Sequence, residues 1–245
     1  MSELLVSPNT YGPPDETFAH TEAFLEAVAR LAGGAGHEIN NPLTVISGRA
    51  QLMMESAGTE DERNVWRTIH LQAGRISDLI ADLMEFAAPL HTYRQKIDLV
   101  ILIKNAISHI SYSNHPNAEA FKIDKEIEDP IPQVWVDPVQ IESVIAELLE
   151  NSITFSIKEP YIQLSVAITD NSQVLLAIRD NGPGMNPQTL AHAFVPFFSS
   201  HSAGRRRGLG LSLAWRRVVS NQGRIWLESE PGKGTVAKIL LPTAK

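Results

Sequence analysis

The apolar residues of this chain change their spacing near residue 95. Before that point they recur three and four residues apart, which is typical of amphipathic helices that pack side by side. Beyond it, short stretches of alternating apolar residues are interleaved with helical stretches and with turns that contain glycine and proline. The sequence therefore predicts an α+β protein in which an all-helical part precedes an α/β part.

The helical part is predicted to be a two-helix hairpin. Its helices run over about 22–56 and 60–87, with Gly58 and Thr59 between them and Pro89 after the second. A single hairpin leaves part of both apolar stripes exposed, so we expect two chains to form a homodimer with a four-helix bundle. The alternative is that the hairpin packs on the C-terminal half of its own chain.

These patterns divide the chain into three segments. Residues 1–21 contain several prolines and little periodicity, so they are predicted to be a linker or a poorly ordered arm. Residues 22–94 form the hairpin domain, and residues 95–245 form the α/β domain. Within the last domain, the stretch 191–208 is predicted to be irregular.

Composition narrows the possible functions. The 245 residues include 21 basic and 28 acidic side chains, so the net charge of −7 does not favour nucleic acid or anionic lipid as a partner. The absence of cysteine excludes disulfides and thiolate metal sites. Apolar runs fall far short of the roughly 20 residues of a membrane helix, and the N-terminus lacks a signal-peptide pattern. We therefore expect a cytoplasmic protein.

The first helix carries three neighbouring polar groups just before Pro42. His37 lies about 200° around the helix from the apolar position Ile39, so it is predicted to face solvent. Glu38 can hydrogen-bond one imidazole nitrogen and make the other more nucleophilic. Asn41 lies on nearly the same face as His37. A zinc site is not expected, because HExxH would require a histidine where Asn41 stands.

The string HEINNPL at residues 37–43 resembles the phospho-acceptor box of sensor histidine kinases, in the branch of the nitrogen-regulation kinases. Further strings resemble the ATP-binding motifs of the same family, in the order expected there. They are ELLENS at 147–152, DNGPGM at 180–185, FVPFF at 194–198 and GLGL at 208–211. The resemblance covers about residues 22–242. It implies a dimerising helical hairpin followed by an α/β sandwich ATP-binding domain of the GHKL type.

The resemblance also implies roles for single residues toward ATP and Mg²⁺. Asn151 stands where the family uses an amide oxygen as a Mg²⁺ ligand. Asp180 stands where a carboxylate accepts a hydrogen bond from the adenine amino group, and Gly182 and Gly184 would let the backbone approach the base. Phe198 belongs to the motif rich in phenylalanine. Without the resemblance, the string at 180–185 is also explained by a tight turn after a strand.

The second glycine motif is interpreted as a phosphate site. Gly208, Leu209 and Gly210 begin a helix, whose N-terminal amides and dipole favour phosphate. Arg206 and Arg207 precede it on a predicted lid and are interpreted as phosphate ligands; the alternative is that they are merely solvated. A last glycine turn at residues 232–235 resembles a family motif, although a plain hairpin turn explains it equally well.

Three positions depart from the family pattern. Many members have Asn where this chain has Glu147, Lys where it has Thr154, and Gly where it has Arg206. Glu147 precedes Asn151 by one helical turn, which is the arrangement of the water-activating base in the gyrase, chaperone and mismatch-repair ATPases. ATP hydrolysis is therefore one alternative, and a nucleotide-binding scaffold without transfer is another. Lys158 or the arginines before Gly208 would have to supply the charge that Thr154 lacks.

The resemblance thus implies a protein-histidine kinase. MgATP would phosphorylate His37, and an aspartate in the receiver domain of a response regulator would then accept the phosphoryl group. The predicted catalytic residues are His37, Glu38, Asn41 and Glu147. The amide of Asn41 can also orient a water, so the protein is expected to dephosphorylate its regulator as well.

Overall fold

The computed structural model describes residues 10–12, 38–88, 90–112, 121–156, 159–198 and 208–244. The chain divides into two compact units. One is Pro14–Pro89, and the other combines Leu90–Lys245 with Met1–Pro13. The first corresponds to the predicted hairpin and the second to the predicted α/β domain. Residues 90–94, predicted to belong to the hairpin domain, lie in the α/β unit.

The helical unit is a hairpin, as predicted. Residues 38–56 are helical (α1), and the second helix is α2 (Glu60–Ala87). Thr59 caps α2, because its hydroxyl accepts a hydrogen bond from the Glu62 N–H at 3.2 Å. In the described part of the chain, no helix has the length and apolar character needed to cross a membrane.

The predicted apolar stripe of α1 is only half buried within one chain. Leu43 and Ala50 are 7% and 1% exposed, whereas Ile39, Ile46 and Met53 are 42%, 46% and 39% exposed. Helix α2 follows the same pattern, with some apolar side chains buried and others open. Its buried members include Ala73 and Phe86, and its exposed members include Val65, Leu71, Ile76 and Leu79. The hairpin alone therefore leaves much apolar surface uncovered.

The α/β unit is built on a mixed sheet. Among the described residues this sheet has six strands in the order β1-β7-β8-β6-β5-β3, in which only β3 and β5 pair in parallel. Two further strands, β2 and β4, form a separate antiparallel pair. The strands are β1 (Thr10–Tyr11), β2 (Gln95–Ile97), β3 (Lys122–Ile127), β4 (Val134–Val136), β5 (Tyr161–Ile168), β6 (Val174–Asp180), β7 (Arg224–Ser229) and β8 (Thr235–Leu241).

Helices cover one face of the sheet. α4 (Pro138–Thr154) and α6 (Gly210–Ser220) pack on the strands, and α3 (Leu99–Tyr112) packs on α4. A short helix, α5 (Pro187–His192), follows β6. Alternate strand residues such as Leu164, Leu176 and Ile239 face these helices and are at most 1% exposed. Their neighbours on the other face, such as Gln163 and Arg179, are exposed. The unit is therefore a two-layer α/β sandwich, as predicted.

Three elements among the described residues were not predicted, namely β1, β2 and α5. Thr10–Tyr11, in the predicted arm, pairs with Glu228 and Leu227 of β7, which otherwise presents an unpaired edge. Two residues are too few to show a periodicity. Helix α5 begins before the stretch 191–208 that was predicted to be irregular and ends inside it. Asn186 caps α5 by accepting a hydrogen bond from the Thr189 N–H at 2.7 Å.

A cluster of buried polar residues joins α4, α6 and the segment that precedes β2. Asp137, Gln140 and Asn221 are 6%, 9% and 0% exposed. The side-chain Oδ1 of Asn221 accepts from the Asp137 N–H at 2.6 Å, and its side-chain Nδ2 donates to Gln140 Oε1 at 2.9 Å. Asp137 Oδ2 accepts from the Tyr93 N–H at 2.8 Å, and the Gln140 amide donates to the His91 carbonyl at 3.0 Å. These bonds explain why residues 91–93 belong to the α/β unit.

Candidate functional site

Asp180 ends the central strand β6 and faces the helices. Its Oδ1 accepts hydrogen bonds from the Gly182 N–H at 2.8 Å and from the Thr235 N–H at 3.0 Å. Among the described residues, no donor bonds the second oxygen, Oδ2. The carboxylate is therefore held by two backbone groups through one oxygen, and its other oxygen can accept a hydrogen bond from a ligand.

Burial raises the pKa of Asp180 above its ordinary value of 3.8. The hydrogen bonds from Gly182 and Thr235 and the positive charge of Arg179 act in the opposite direction, but desolvation is the larger effect. A partly desolvated carboxylate with one oxygen available is a strong acceptor for a donor group. This environment suits the exocyclic amino group of a base.

The turn between β7 and β8 packs directly against Asp180. Gly234 has φ of +78°, and a Cβ there would collide with the Asp180 carbonyl oxygen. The hydroxyl of Ser229 accepts from the Met185 N–H at 2.8 Å and donates to the Gly234 carbonyl at 3.0 Å. The turn is thus more than a plain hairpin connection, since it shapes the loop that follows Asp180.

Two glycines let that loop pass close to its neighbours. A Cβ at Gly182 would lie 3.1 Å from the carbonyl oxygen of Phe155, just after α4. Gly184 has φ of +68°, and a Cβ there would collide with the Glu230 carbonyl. The loop after Asp180 is therefore fitted between the C-terminal end of α4 and the β7–β8 turn.

Helix α4 places Glu147 and Asn151 on one face, one turn apart. The amide nitrogen of Asn151 donates to Glu147 Oε1 at 3.0 Å. A Cβ at Gly210 would collide with the Glu147 carboxylate, so that carboxylate lies against the first residue of α6. Glu147 thus lies on α4 and contacts α6, the two helices that the sequence motifs assign to nucleotide binding.

The N-terminus of α6 differs from those of α4 and α5. Asp137 and Asn186 cap α4 and α5 with side-chain hydrogen bonds, whereas Leu209, at the N-cap of α6, provides none. The first amides of a helix need acceptors and carry its positive dipole end. The α6 N-terminus can therefore bind an anion such as phosphate.

Phe198 and Gly208 lie side by side, although they are ten positions apart. Gly208 has φ of +68°, and a Cβ there would collide with the Phe198 carbonyl oxygen. The Phe198 ring lies 5.5 Å from the imidazole of His192, centroid to centroid. Arg206 and Arg207 lie outside the described residues.

The predicted residues of α4, α6 and the loop after Asp180 that the structure describes therefore lie in one continuous site. Gly210 contacts Glu147, Glu147 bonds Asn151, and the end of the same helix contacts Gly182 beside Asp180. In the hairpin unit, Glu38 and Asn41 are both exposed, as predicted. His37 and Lys158 lie outside the described residues.

Two family models match this chain. The model described as "His Kinase A (phospho-acceptor) domain" matches residues 27–89, and that described as "Histidine kinase-, DNA gyrase B-, and HSP90-like ATPase" matches residues 136–245. Together they cover more than half of the chain, in the order that the sequence motifs predicted. This chain belongs to the sensor histidine kinases of two-component systems.

Curated relatives of this histidine kinase are sensor and sporulation kinases. Sporulation kinase E of Bacillus subtilis is 29% identical over 218 residues, which are 89% of this chain and 29% of the relative. Sensor histidine kinase ZraS of Escherichia coli is 28% identical over 219 residues, which are 89% of this chain and 46% of the relative. The chain thus spans less than half the length of these relatives. The nitrogen-regulation branch stays a prediction.

Solved structures of histidine kinases share the fold. Full-length ShkA in complex with AMPPNP superimposes with a TM-score of 0.66 at 21% identity, over 88% of this chain and 46% of that one. ThkA in complex with the response regulator protein TrrA gives a TM-score of 0.61 at 20% identity, over 88% of this chain and 61% of that one. At these identities the likeness concerns the fold alone.

Two residues of the site had no predicted role. Thr235, within the glycine turn that resembles a family motif, supplies a backbone N–H to Asp180, and Ser229, which no motif included, supports the loop after it. The available signal was that turn at residues 232–235. A backbone donor leaves no trace in the residue type, and only the β6–β8 pairing brings this turn beside Asp180.

Proposed function

We propose that this chain is an ATP-dependent protein-histidine kinase that phosphorylates His37 and passes the phosphoryl group to an aspartate of a response regulator. The observation that carries the proposal is the Asp180 carboxylate, held through one oxygen by Gly182 and Thr235 with the other oxygen able to accept. Family membership supports it, since both the phospho-acceptor and the ATP-binding models match.

ATP would bind along the continuous site of the α/β unit. Asp180 Oδ2 accepts from the adenine amino group, and the loop through Gly182 and Gly184 brings the backbone close to the base. The N-terminus of α6, where Leu209 provides no side-chain cap, favours the phosphates. This assignment is consistent with the AMPPNP bound in the ShkA complex.

The donor set fits a Mg²⁺ ion carried by the nucleotide. In the described ranges, no group of three or more His, Asp or Glu side chains could hold a metal without a ligand. Mg²⁺ commonly takes one or two protein oxygens together with phosphates and waters, and Asn151 can offer its amide oxygen. The ion would supply charge neutralisation on the phosphates.

The transfer breaks the bond between the γ-phosphorus and the oxygen that bridges it to the β-phosphate. A lone pair on an imidazole nitrogen of His37 forms the new N–P bond, and ADP leaves with the electron pair of the broken bond. Glu38 is exposed beside it and can hold the proton of the other ring nitrogen. In the second step the N–P bond breaks and a carboxylate oxygen of the regulator forms the new O–P bond.

The hairpin supports a homodimer and a regulator surface. Leu52, Val65 and Leu71 are 65%, 58% and 56% exposed, and a second hairpin would cover such side chains in a four-helix bundle. ThkA, which shares the fold, has been seen in complex with a response regulator protein. We propose the receiver domain of such a regulator as the partner of the face that carries Glu38 and Asn41.

Labelling with γ-³²P-ATP tests the kinase proposal. The wild-type chain should gain a label that acid removes and base retains, and His37→Gln should abolish it while ADP binding persists. His91→Gln is the matched control, because the His91 side chain is exposed and the Gln140 amide bonds only the backbone carbonyl of His91. Acid-labile label on His37→Gln would place the acceptor elsewhere. Continuous phosphate release by that variant would instead favour the ATPase alternative.

Asn41→Ala tests the proposed phosphatase activity. The variant should keep autophosphorylation and forward transfer but release phosphate from the phosphorylated regulator about 10²-fold more slowly, because an orienting group for the attacking water is lost. Phosphate release is measured with separately phosphorylated regulator. Equal loss of transfer and dephosphorylation would assign Asn41 a structural role before Pro42.

A further inference from the structure

Glu147 has a contact that a water-activating base does not require. Its Oε1 accepts the amide N–H of Asn151 at 3.0 Å on the same face of α4. An asparagine amide can be turned in two ways, with its nitrogen and oxygen exchanged, and its neighbours decide between them. A carboxylate accepts hydrogen bonds, so it selects the arrangement in which the amide nitrogen faces Glu147. The amide oxygen of Asn151 is then directed to the other side.

The Glu147 carboxylate lies against Gly210. A Cβ at Gly210 would collide with that carboxylate, which would then have to move. Gly210 is the first residue of α6, and the positive end of the helix dipole favours a negative charge at this place. The carboxylate therefore accepts from the amide of Asn151 and lies against the start of α6.

We propose that Glu147 is a positioning residue that orients the Asn151 amide so that its oxygen is presented to the nucleotide-bound Mg²⁺. This inference rests on the proposed function and adds a specific role to a position where the family commonly has asparagine. A glutamate offers only acceptors to Asn151, whereas an amide at position 147 would permit both orientations of its neighbour. Glu147 thus acts through Asn151 and need not touch water or phosphate.

The test measures how strongly Mg²⁺ promotes ADP binding to the whole 245-residue chain. The quantity is the magnesium stimulation, defined as the ADP Kd in excess EDTA divided by the ADP Kd in Mg²⁺, from calorimetry. ADP excludes both hydrolysis and phosphoryl transfer from the readout. Glu147→Gln should lower the stimulation about tenfold, the effect expected from one lost orienting hydrogen bond. Glu150→Gln removes the same charge three residues further along α4 and should leave the magnesium stimulation within twofold.

The double variant separates positioning from direct metal binding. Asn151→Ala should leave only the stimulation that Mg²⁺ gives through the phosphates, and adding Glu147→Gln should not lower it further. A full additional loss in the double variant would show that Glu147 acts on the metal itself and would overturn the inference. Unchanged stimulation in Glu147→Gln, with folding confirmed by circular dichroism, would also overturn it.

The outcomes distinguish this inference from the proposed function. A wild-type chain that does not bind ADP would remove the proposed function and the inference together. If the wild-type chain binds MgADP but Glu147→Gln leaves the magnesium stimulation unchanged, the inference is wrong and the kinase proposal is unaffected.

Discussion

Helices α4 and α6 run antiparallel, and the two ends of this pair use similar polar residues differently. At one end, which we call the closed end, Asp137, Gln140 and Asn221 are at most 9% exposed and bond one another. At the other, the nucleotide end, Glu147 and Asn151 are only partly buried beside Gly210. Arg217 and Ser143 connect the helices between the two ends through a hydrogen bond of 2.8 Å.

The difference separates a structural polar cluster from a functional one. At the closed end Gln140 and Asn221 bond both backbone and side-chain groups, and the Asp137 carboxylate accepts from the backbone N–H groups of Tyr93 and Gln140. These bonds stabilise the packing of α4, α6 and residues 91–93. At the nucleotide end a helix N-terminus lacks a side-chain cap, and Asp180 nearby has an oxygen without a donor among the described residues. Polar groups without a hydrogen-bond partner in the free protein contribute less to its folding stability than groups that are fully bonded.

Asn221→Leu should have the largest effect, and it acts on stability. The change removes an acceptor from the buried Asp137 N–H and a donor from Gln140 Oε1. We expect a loss of about 3 kcal/mol in the free energy of unfolding, because a buried donor is left unpaired. Urea denaturation followed by circular dichroism measures it, and the ADP Kd of the folded variant should stay within twofold.

Ser220→Ala is the control for the closed end. Ser220 also donates to Gln140 Oε1, at 3.0 Å, but the Asn221 amide still bonds that oxygen after the change. The expected loss is about 1 kcal/mol or less. If Asn221→Leu weakened ADP binding as strongly as it destabilised the fold, the two ends would be coupled. The closed end would then not have a purely structural role.

Asp180→Asn should have the next largest effect, on nucleotide affinity. The asparagine oxygen can still accept from Gly182 and Thr235, so its amino group would face the adenine amino group, donor against donor. We expect ADP binding to weaken roughly 10- to 100-fold, as for the loss of a hydrogen bond to a charged group. If calorimetry gave the same ADP affinity for Asp180→Asn and the wild type, Asp180 would not bind the adenine amino group.

The same variant should not lose stability at neutral pH. Because the pKa of Asp180 is raised by burial, its ionised form opposes folding at neutral pH, and this opposition disappears as the pH falls through the raised pKa and below 3.8. Asp180→Asn should therefore unfold at an equal or higher urea concentration than the wild type at pH 7. The difference between the two proteins should shrink toward acidic pH.

The sequence predicted the nucleotide end better than the closed end. Asn151, Asp180 and Gly210 belong to family motifs, and the long elements α2 and α4 carry strong periodicity. The closed end escaped notice because Asp137 and Asn221 are 84 positions apart and their polar types also suit exposed loops. Long-range pairings of this kind, like that of β1 with β7, follow from the fold and leave no local pattern.

Gly210→Ala should have the smallest effect of the three, and its two consequences have opposite signs. Alanine favours helix more than glycine does, by up to about 1 kcal/mol, so the free energy of unfolding should not fall. The new methyl group would occupy the place of the Glu147 carboxylate, which is the end of a flexible side chain and can move away. Asn151 would then lose its hydrogen bond to Glu147, and MgADP binding should weaken about tenfold.

Gly74→Ala is the matched control for Gly210→Ala. Gly74 also lies in a helix, α2, but a Cβ there would meet nothing within 4 Å. The Gly74→Ala variant should raise helix stability without changing ADP affinity. A loss of affinity that occurs only in Gly210→Ala is therefore due to displacement of the Glu147 carboxylate. The magnesium stimulation of Gly210→Ala should also match that of Glu147→Gln, because one change moves the carboxylate and the other removes its charge. A normal stimulation in Gly210→Ala would mean that Glu147 keeps its bond to Asn151 in a new position, and that Gly210 is required only for the approach of the phosphates.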